Sequence, residues 1–265
     1  MTQSVENDEF FVGWSNRLGR RLRFFLCASA LVFVAGLGLL GFGLGAGADD
    51  PAAGLLRLGE RDAAGGPVRP EAWGGEQVLR GYLSTIGYPM LHLGSDAAHP
   101  RGRVLLLSGD GKRGADVPHA AGPVELRGSI LRRGSLEMLV VDGKARPLAD
   151  DAAGIPPAPR EKLGRWRIAG EICDGKCYTG AMRPGSGLAH KACANLCLIG
   201  EIPPVFVTFA PVAGSFYLAL ANADSGPLPA RLRDLVAIPI TLEGEVERVG
   251  NMLVFLVDTA VAKRL

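Results

Sequence analysis

The sequence predicts a mainly β protein that follows one membrane-spanning helix. Three observations carry this reading: an uncharged apolar run from Phe24 to Ala48, a succession of short apolar stretches broken by turn residues, and an ungapped internal repeat between residues 124–142 and 240–258. Gly and Pro, 37 and 18 of 265 residues, favour many turns and short strands over long helices.

The apolar run "FFLCASALVFVAGLGLLGFGLGAGA" is about 25 residues long, enough to cross a hydrocarbon layer of roughly 30 Å as a helix. Arg17, Arg20, Arg21 and Arg23 precede it. The positive-inside rule then keeps residues 1–23 in the cytoplasm, seats residues 24–48 in inner-membrane lipid, and delivers the bulk of the chain to the periplasm of a Gram-negative bacterium. A cleaved signal peptide is the rival, because Ala46-Gly47-Ala48 has small residues where cleavage would fall. The run exceeds the usual 7 to 15 residues of a signal core, which favours a retained anchor. Arg20-Arg21 suggests twin-arginine export, but the residues after the pair fit that signal poorly.

Residues 49–75 mix Gly, Ala, Pro and charges without a period, and read as a linker. Strands follow in "EQVLRGYLSTIGYPMLHL" and "GRVLLLSGDG", then a hairpin in "GPVELRGSILRRGSLEMLVVDG". These make a first β domain over 76–147. A Pro-rich linker over 148–162 leads to a second β domain, 163–265. In the repeat, Leu126 falls on Leu242, Gly128 on Gly244, Arg132 on Arg248, Gly134 on Gly250, and Val141-Asp142 on Val257-Asp258. Each copy reads as a strand, a glycine turn and a second apolar strand. Five short strands per unit match the plan of the OB-fold, a small partly open barrel. The second unit is expected to place strands at 165–172, 204–209 and 216–221 before its final hairpin. "LPARLRDLV" is a turn of helix or an extended loop.

The second domain is interrupted by a Cys-rich insertion, residues 173–200, with four of the five cysteines. Ser186 is placed to cap a short helix, and Gly200 with Pro203-Pro204 to end it. On that helix His190, Cys193 and Cys197 stand at i, i+3 and i+7, along one face. Cys173 and Cys177 flank the turn pair Asp174-Gly175. Outside the cytoplasm thiols oxidise, so Cys173, Cys177, Cys193 and Cys197 read first as two disulfides, paired turn to helix. The second reading is a metal site of Cys177, His190, Cys193 and Cys197, a Cys3His set that suits zinc, with Met182 as a soft ligand that suits copper. A redox pair is the third; no C-x-x-C supports it, and no C-x-x-C-H attaches haem.

Nothing points to catalysis or to nucleic acid. The chain has no G-x-S-x-G, no phosphate-binding glycine loop opening a helix and no H-E-x-x-H. Its net charge is +2 and aromatic residues are sparse. Arg165, Arg167, Lys176, Arg183 and Lys191 read as a solvated basic face, and His92, His99 and His119 as isolated histidines.

The segment "GEICDGKCYTGAMRPGSGLAHKACANLCLIGEIPPVFV", with the opening "DEFFVGW", resembles bacterial membrane-anchored exported proteins that carry a KCYxGxMxPGxGxxHxACAxxC segment. The likeness is close in this segment and loose elsewhere. It implies association with membrane-bound oxidoreductases, in particular molybdopterin enzymes with cytochrome or Rieske partners. In that pattern the position of Cys173 is aliphatic, which leaves Cys177, His190, Cys193 and Cys197 as the common set. The expected function is thus a non-catalytic accessory or assembly subunit of a periplasmic redox complex, with no cofactor required. The alternative is a periplasmic metal- or haem-handling binding protein that uses the Cys/His cluster with zinc or copper.

Overall fold

The computed structural model describes residues 19–48, 58–149 and 154–265. Residues 1–18 of the expected cytoplasmic segment, 49–57 of the first linker and 150–153 of the second lie outside the described residues. Helix α1 runs Arg20–Ala48, 29 residues, or about 43 Å at 1.5 Å per residue. It begins four residues before the apolar run, so Arg20, Arg21 and Arg23 fall in its first turn. From Phe24 on it has no charged side chain, and its aromatic residues, such as Phe33 and Phe42, are exposed. Such a helix is long and apolar enough to cross a membrane.

The remaining described chain forms one compact unit built from eleven strands. These are β1 (Glu76–Ile86), β2 (Tyr88–Leu93), β3 (Arg103–Ser108), β4 (Gly122–Arg133), β5 (Leu136–Val141), β6 (Arg146–Pro147), β7 (Arg160–Asp174), β8 (Pro204–Val212), β9 (Ser215–Asn222), β10 (Pro239–Val249) and β11 (Met252–Arg264). A turn of 3-10 helix, Ala230–Leu235, precedes the last hairpin. Strands β7 to β11 close a five-stranded barrel, and β1 to β6 form a sheet in which β1 also pairs with β4. Both systems share one connectivity. The first strand pairs antiparallel with the second and fourth, the fourth with the fifth, and the third lies parallel to the fifth.

The internal repeat coincides with the two β hairpins in register as well as in residue type. Gly128 pairs with Val141 and Arg132 with Glu137 on β4–β5; Gly244 pairs with Val257 and Arg248 with Leu253 on β10–β11. Both turn glycines, Gly134 and Gly250, have positive φ. A Cβ on Gly128 would meet the Val140 carbonyl oxygen at 2.1 Å, and a Cβ on Gly244 the Leu256 oxygen at 2.1 Å. The repeated glycines therefore let the hairpin strands cross closely, which no larger residue permits at this spacing.

Several strands read as continuous apolar runs because both of their faces are buried. Side chains alternate across a strand, so Leu105 and Leu107 of β3 fill the interior of the first system while Val104 and Leu106 face the second. In the barrel, Leu253, Phe255 and Val257 of β11 point inward, and Met252, Val254 and Leu256 point to the shared seam. Phe206 and Phe255 centre the barrel core, fully buried, with ring centroids 5.9 Å apart and tilted. Each such side chain stabilises by about 1.5–3 kcal/mol through burial. The seam joins Ile86, Met90 and Met138 to Val205, Val207 and Ala219 in one apolar cluster. Residues 58–75 lie across both systems: Gly59 N donates to Thr208 O (2.8 Å), and Glu71 N to Arg132 O (2.9 Å).

Candidate metal centre

The site begins where β7 runs out. Strand alternation turns Cys173 toward the seam and the next residue, Asp174, to the opposite side. After Asp174 the chain makes a single wide turn of helix, Cys177–Ala181. A 3-10 turn, Leu188–His190, then leads into α2 (Lys191–Ile199), which ends at Gly200. The helix is shorter than its sequence suggests, and Ser186 makes no cap to it. Instead the buried Glu171 carboxylate accepts a hydrogen bond from Gly187 N at 2.6 Å. His190, Ala194 and Cys197 form the buried face of this helical segment, with Cys193 half-buried beside them.

The disulfide framework expected of Cys173, Cys177, Cys193 and Cys197 is not present: all five cysteines of the chain are free thiols. Cys173 is set apart by the alternation of β7, its Sγ lying 3.5 Å from Glu171 Oε1. Burial and the neighbouring Glu171 and Asp174 carboxylates push its thiol well above the ordinary range, so it is an inert core residue. Cys177 and Cys197 approach to 3.9 Å between sulfurs, against about 2.05 Å for a disulfide. Two thiolates bound at about 2.3 Å to one tetrahedral ion stand about 3.8 Å apart. The observed spacing is too long for a disulfide and compatible with two ligands of a common ion.

Two ligand groups converge here, Cys177 with His190 and Cys193, and Cys177 with Cys197 and Asp174; within each, the ligand atoms lie within 4.8 Å of one another. Each residue of the Cys3His set falls in one of these two groups, and Cys177 is common to both. Met182 also arrives, 3.5 Å from Sγ of Cys193 through its Sδ. Asp174 is fully buried and holds the site from behind. One carboxylate oxygen accepts from Cys177 N (2.8 Å), the other lies 2.8 Å from His190 Nε2. A carboxylate only accepts, so Nε2 donates this bond, and in the neutral ring Nδ1 is then the nitrogen with a lone pair for a ligand. A carboxylate behind a histidine that faces a ligand cluster is the usual support of a metal-binding imidazole.

Two lysines bring positive charge to the sulfurs. Lys112, from the β3–β4 loop, places its Nζ 2.8 Å from Cys193 Sγ and 3.9 Å from Cys197 Sγ, and that hydrogen bond raises the lysine pKa. Lys176 is buried and donates to the carbonyls of Gly109 (2.7 Å) and Gly111 (2.9 Å), its pKa lowered by burial. It belongs to the core of the site and not to a solvated basic face. By contrast Arg167 is exposed and pairs with Glu243 at 2.8 Å. The hydrogen bond from Cys177, helped by the Lys112 charge, lowers the Cys197 pKa, while the same bond and then burial raise that of Cys177.

The sequence reading missed Asp174 as a ligand support and Lys112 altogether. Asp174 was visible only as a turn former, and Lys112 lies 81 residues from the cysteine it touches. Among the described histidines, His92 is buried against Pro156 O (2.9 Å) and His99 pairs with Asp96 (3.0 Å), both away from the cluster. Comparison of the chain with family models, curated proteins and solved structures gives no match.

Proposed function

We propose that this is a membrane-anchored, non-catalytic metal-binding protein whose β body stands on the periplasmic side of the inner membrane. Its two strand systems are read as OB-like domains over 76–147 and 163–265, with the metal held in the 173–200 insertion of the second. The observation that carries the reading is the convergence of free Cys177, His190, Cys193 and Cys197 with Asp174 behind the imidazole. Cysteine sulfur and imidazole nitrogen are the donors zinc and copper take. The test is anaerobic purification of the full chain followed by metal analysis. One equivalent of zinc or copper in the wild type, lost in Cys177→Ser, supports the reading; a metal-free wild type that takes up neither ion on addition ends it.

The accessory role in a membrane-bound oxidoreductase is the second reading. Besides the resemblance, one observation favours it: Leu188, Leu196 and Ile199, on the 3-10 turn and α2 that also carry ligand residues, are 69, 54 and 55 % exposed. Apolar groups gathered beside a functional site mark a protein contact more often than chance exposure does. Extraction of native membranes in mild detergent tests it. Recovery with oxidoreductase subunits is expected, and recovery as a lone monomer counts against it.

A further inference from the structure

The sulfurs of the candidate centre form a graded series from solvent to core. Met182 is 48 % exposed, and its Sδ lies 3.5 Å from the Sγ of half-buried Cys193. Cys193 shares a ligand group with buried Cys177, and Cys177 lies 3.9 Å from buried Cys197. The outer and inner steps, 3.5 and 3.9 Å, are close to the separation of about 3.8 Å between two sulfurs at metal-bond length, and the middle one is within 4.8 Å. A purely structural zinc site has no need of this: it is closed by four ligands, and zinc gains little from a thioether. A thioether selects for monovalent copper, a soft ion that accepts two or three sulfurs and exchanges them one at a time.

We propose that monovalent copper is taken up at Met182 and Cys193 and passed inward to Cys177 and Cys197. This rests on the metal-binding reading above and adds the ion and the direction. In the uptake step the copper–ligand bond of the carrier breaks as copper–sulfur bonds to Met182 and Cys193 form. The Cys193 thiol proton leaves to solvent and no electron moves. The inward step repeats the exchange: the bonds to Met182 and then Cys193 break as bonds to Cys177 and Cys197 form, each incoming thiol gives its proton to solvent, Cys193 takes one back, and no electron moves. Lys112, 2.8 Å from Cys193 Sγ, lies beside the uptake pair and must swing outward as the ion arrives. Its side chain is exposed and is free to do so.

The experiment uses the full chain in mild detergent, reduced and anaerobic, with copper delivered as its monovalent bicinchoninate complex. Loss of the chelate colour gives both the rate of uptake and the final affinity. Met182→Leu keeps size and exposure, so the fold is retained. It is expected to slow copper uptake by about tenfold, the scale of losing one supporting group at a metal, with a smaller effect on final affinity and none on zinc uptake from a zinc chelator. Wild-type rate and affinity for copper in Met182→Leu overturns the proposal while leaving the centre itself standing. An equal slowing of zinc uptake also overturns it, since Met182 would then act through access and not through its sulfur. A wild type that takes up neither ion removes the metal-binding reading with it.

Discussion

Replacing Asp174 with Asn changes the two groups that its carboxylate serves while keeping the shape of a fully buried side chain. In the native site both oxygens accept, one from Cys177 N and one from His190 Nε2, each at 2.8 Å. An amide offers one acceptor and one donor. If its oxygen stays on Cys177 N, its NH2 faces Nε2, and the imidazole must move its proton to Nδ1 to accept. That proton then occupies the lone pair needed by a metal. If the amide turns over, its NH2 meets the Cys177 N–H and that bond is lost at a fully buried position. Either way the ligand set is weakened by about 10- to 100-fold in affinity, or about 1.4–2.7 kcal/mol. Competition of the purified protein with a chromophoric chelator for zinc and for monovalent copper measures this, alongside a melting curve of the metal-free variant. Affinity within twofold of wild type for both ions, with an unchanged melt, refutes the assignment of Asp174 as the support of His190.

Three further outcomes are expected. Denatured in the absence of reductant and metal, the chain should show all five thiols, with Cys193 the first of residues 173–197 to react natively, since Cys173, Cys177 and Cys197 are buried; a mass four hydrogens short would instead show two disulfides. Burial opposes ionisation of Glu137, but hydrogen bonds from Arg103 (Nη2, 2.8 Å) and Arg132 (Nε, 2.6 Å) outweigh it and lower its pKa. A folded pKa below the unfolded one stabilises above the unfolded value, about 4.3, and that contribution is lost as pH falls through the folded pKa. Melting temperature should therefore fall on acidification, and less steeply in Glu137→Gln, which at neutral pH should itself cost about 3 kcal/mol by leaving two arginines on a neutral partner. Gly128→Ala and Gly244→Ala should cost alike, about 1–3 kcal/mol each, lowering the melting temperature by about 2–12 °C, because both Cβ atoms would meet a carbonyl oxygen at 2.1 Å; tolerance at one position alone would show that the repeat is not structural.

Local pattern made the strands legible. Alternation and turn glycines located both hairpins, and the ungapped repeat matched one to the other, because a strand's period and a tight turn are properties of adjacent residues. The His190, Cys193 and Cys197 spacing was legible for the same reason, since a short helix sets it. What was not legible depends on contacts between distant segments. Four cysteines in a chain whose sequence reads as exported argue for two disulfides by count. The single-residue alternation of β7 removes Cys173 from the set, and that depends on which face of β7 the seam covers. Lys112 sits in "GDGKRG", where nothing distinguishes it from any loop lysine until the β3–β4 loop is laid on the insertion. Lys176 looked like surface charge for want of knowing that the Gly109 and Gly111 carbonyls would meet it.

That loop contact has an energetic consequence. The ligands all come from the insertion in the β7–β8 connection, yet two contacts that shape the pocket, Lys112 to the sulfurs and Lys176 to Gly109 and Gly111, cross to the first strand system. Gly114 N adds a third crossing, donating to Gly200 O at the end of α2 (2.6 Å). Together with the apolar seam they predict that the two systems unfold as one cooperative body. An ion bound at 1,000 times its dissociation constant stabilises the folded state by about 4.1 kcal/mol, or roughly 8–16 °C in melting temperature for a body of this size. The shift should then appear in a single transition that both systems share. Calorimetry of the full chain with and without copper or zinc reads it: two transitions, of which only one moves with the ion, would mean that the seam does not couple the sheets and that the centre serves the barrel alone.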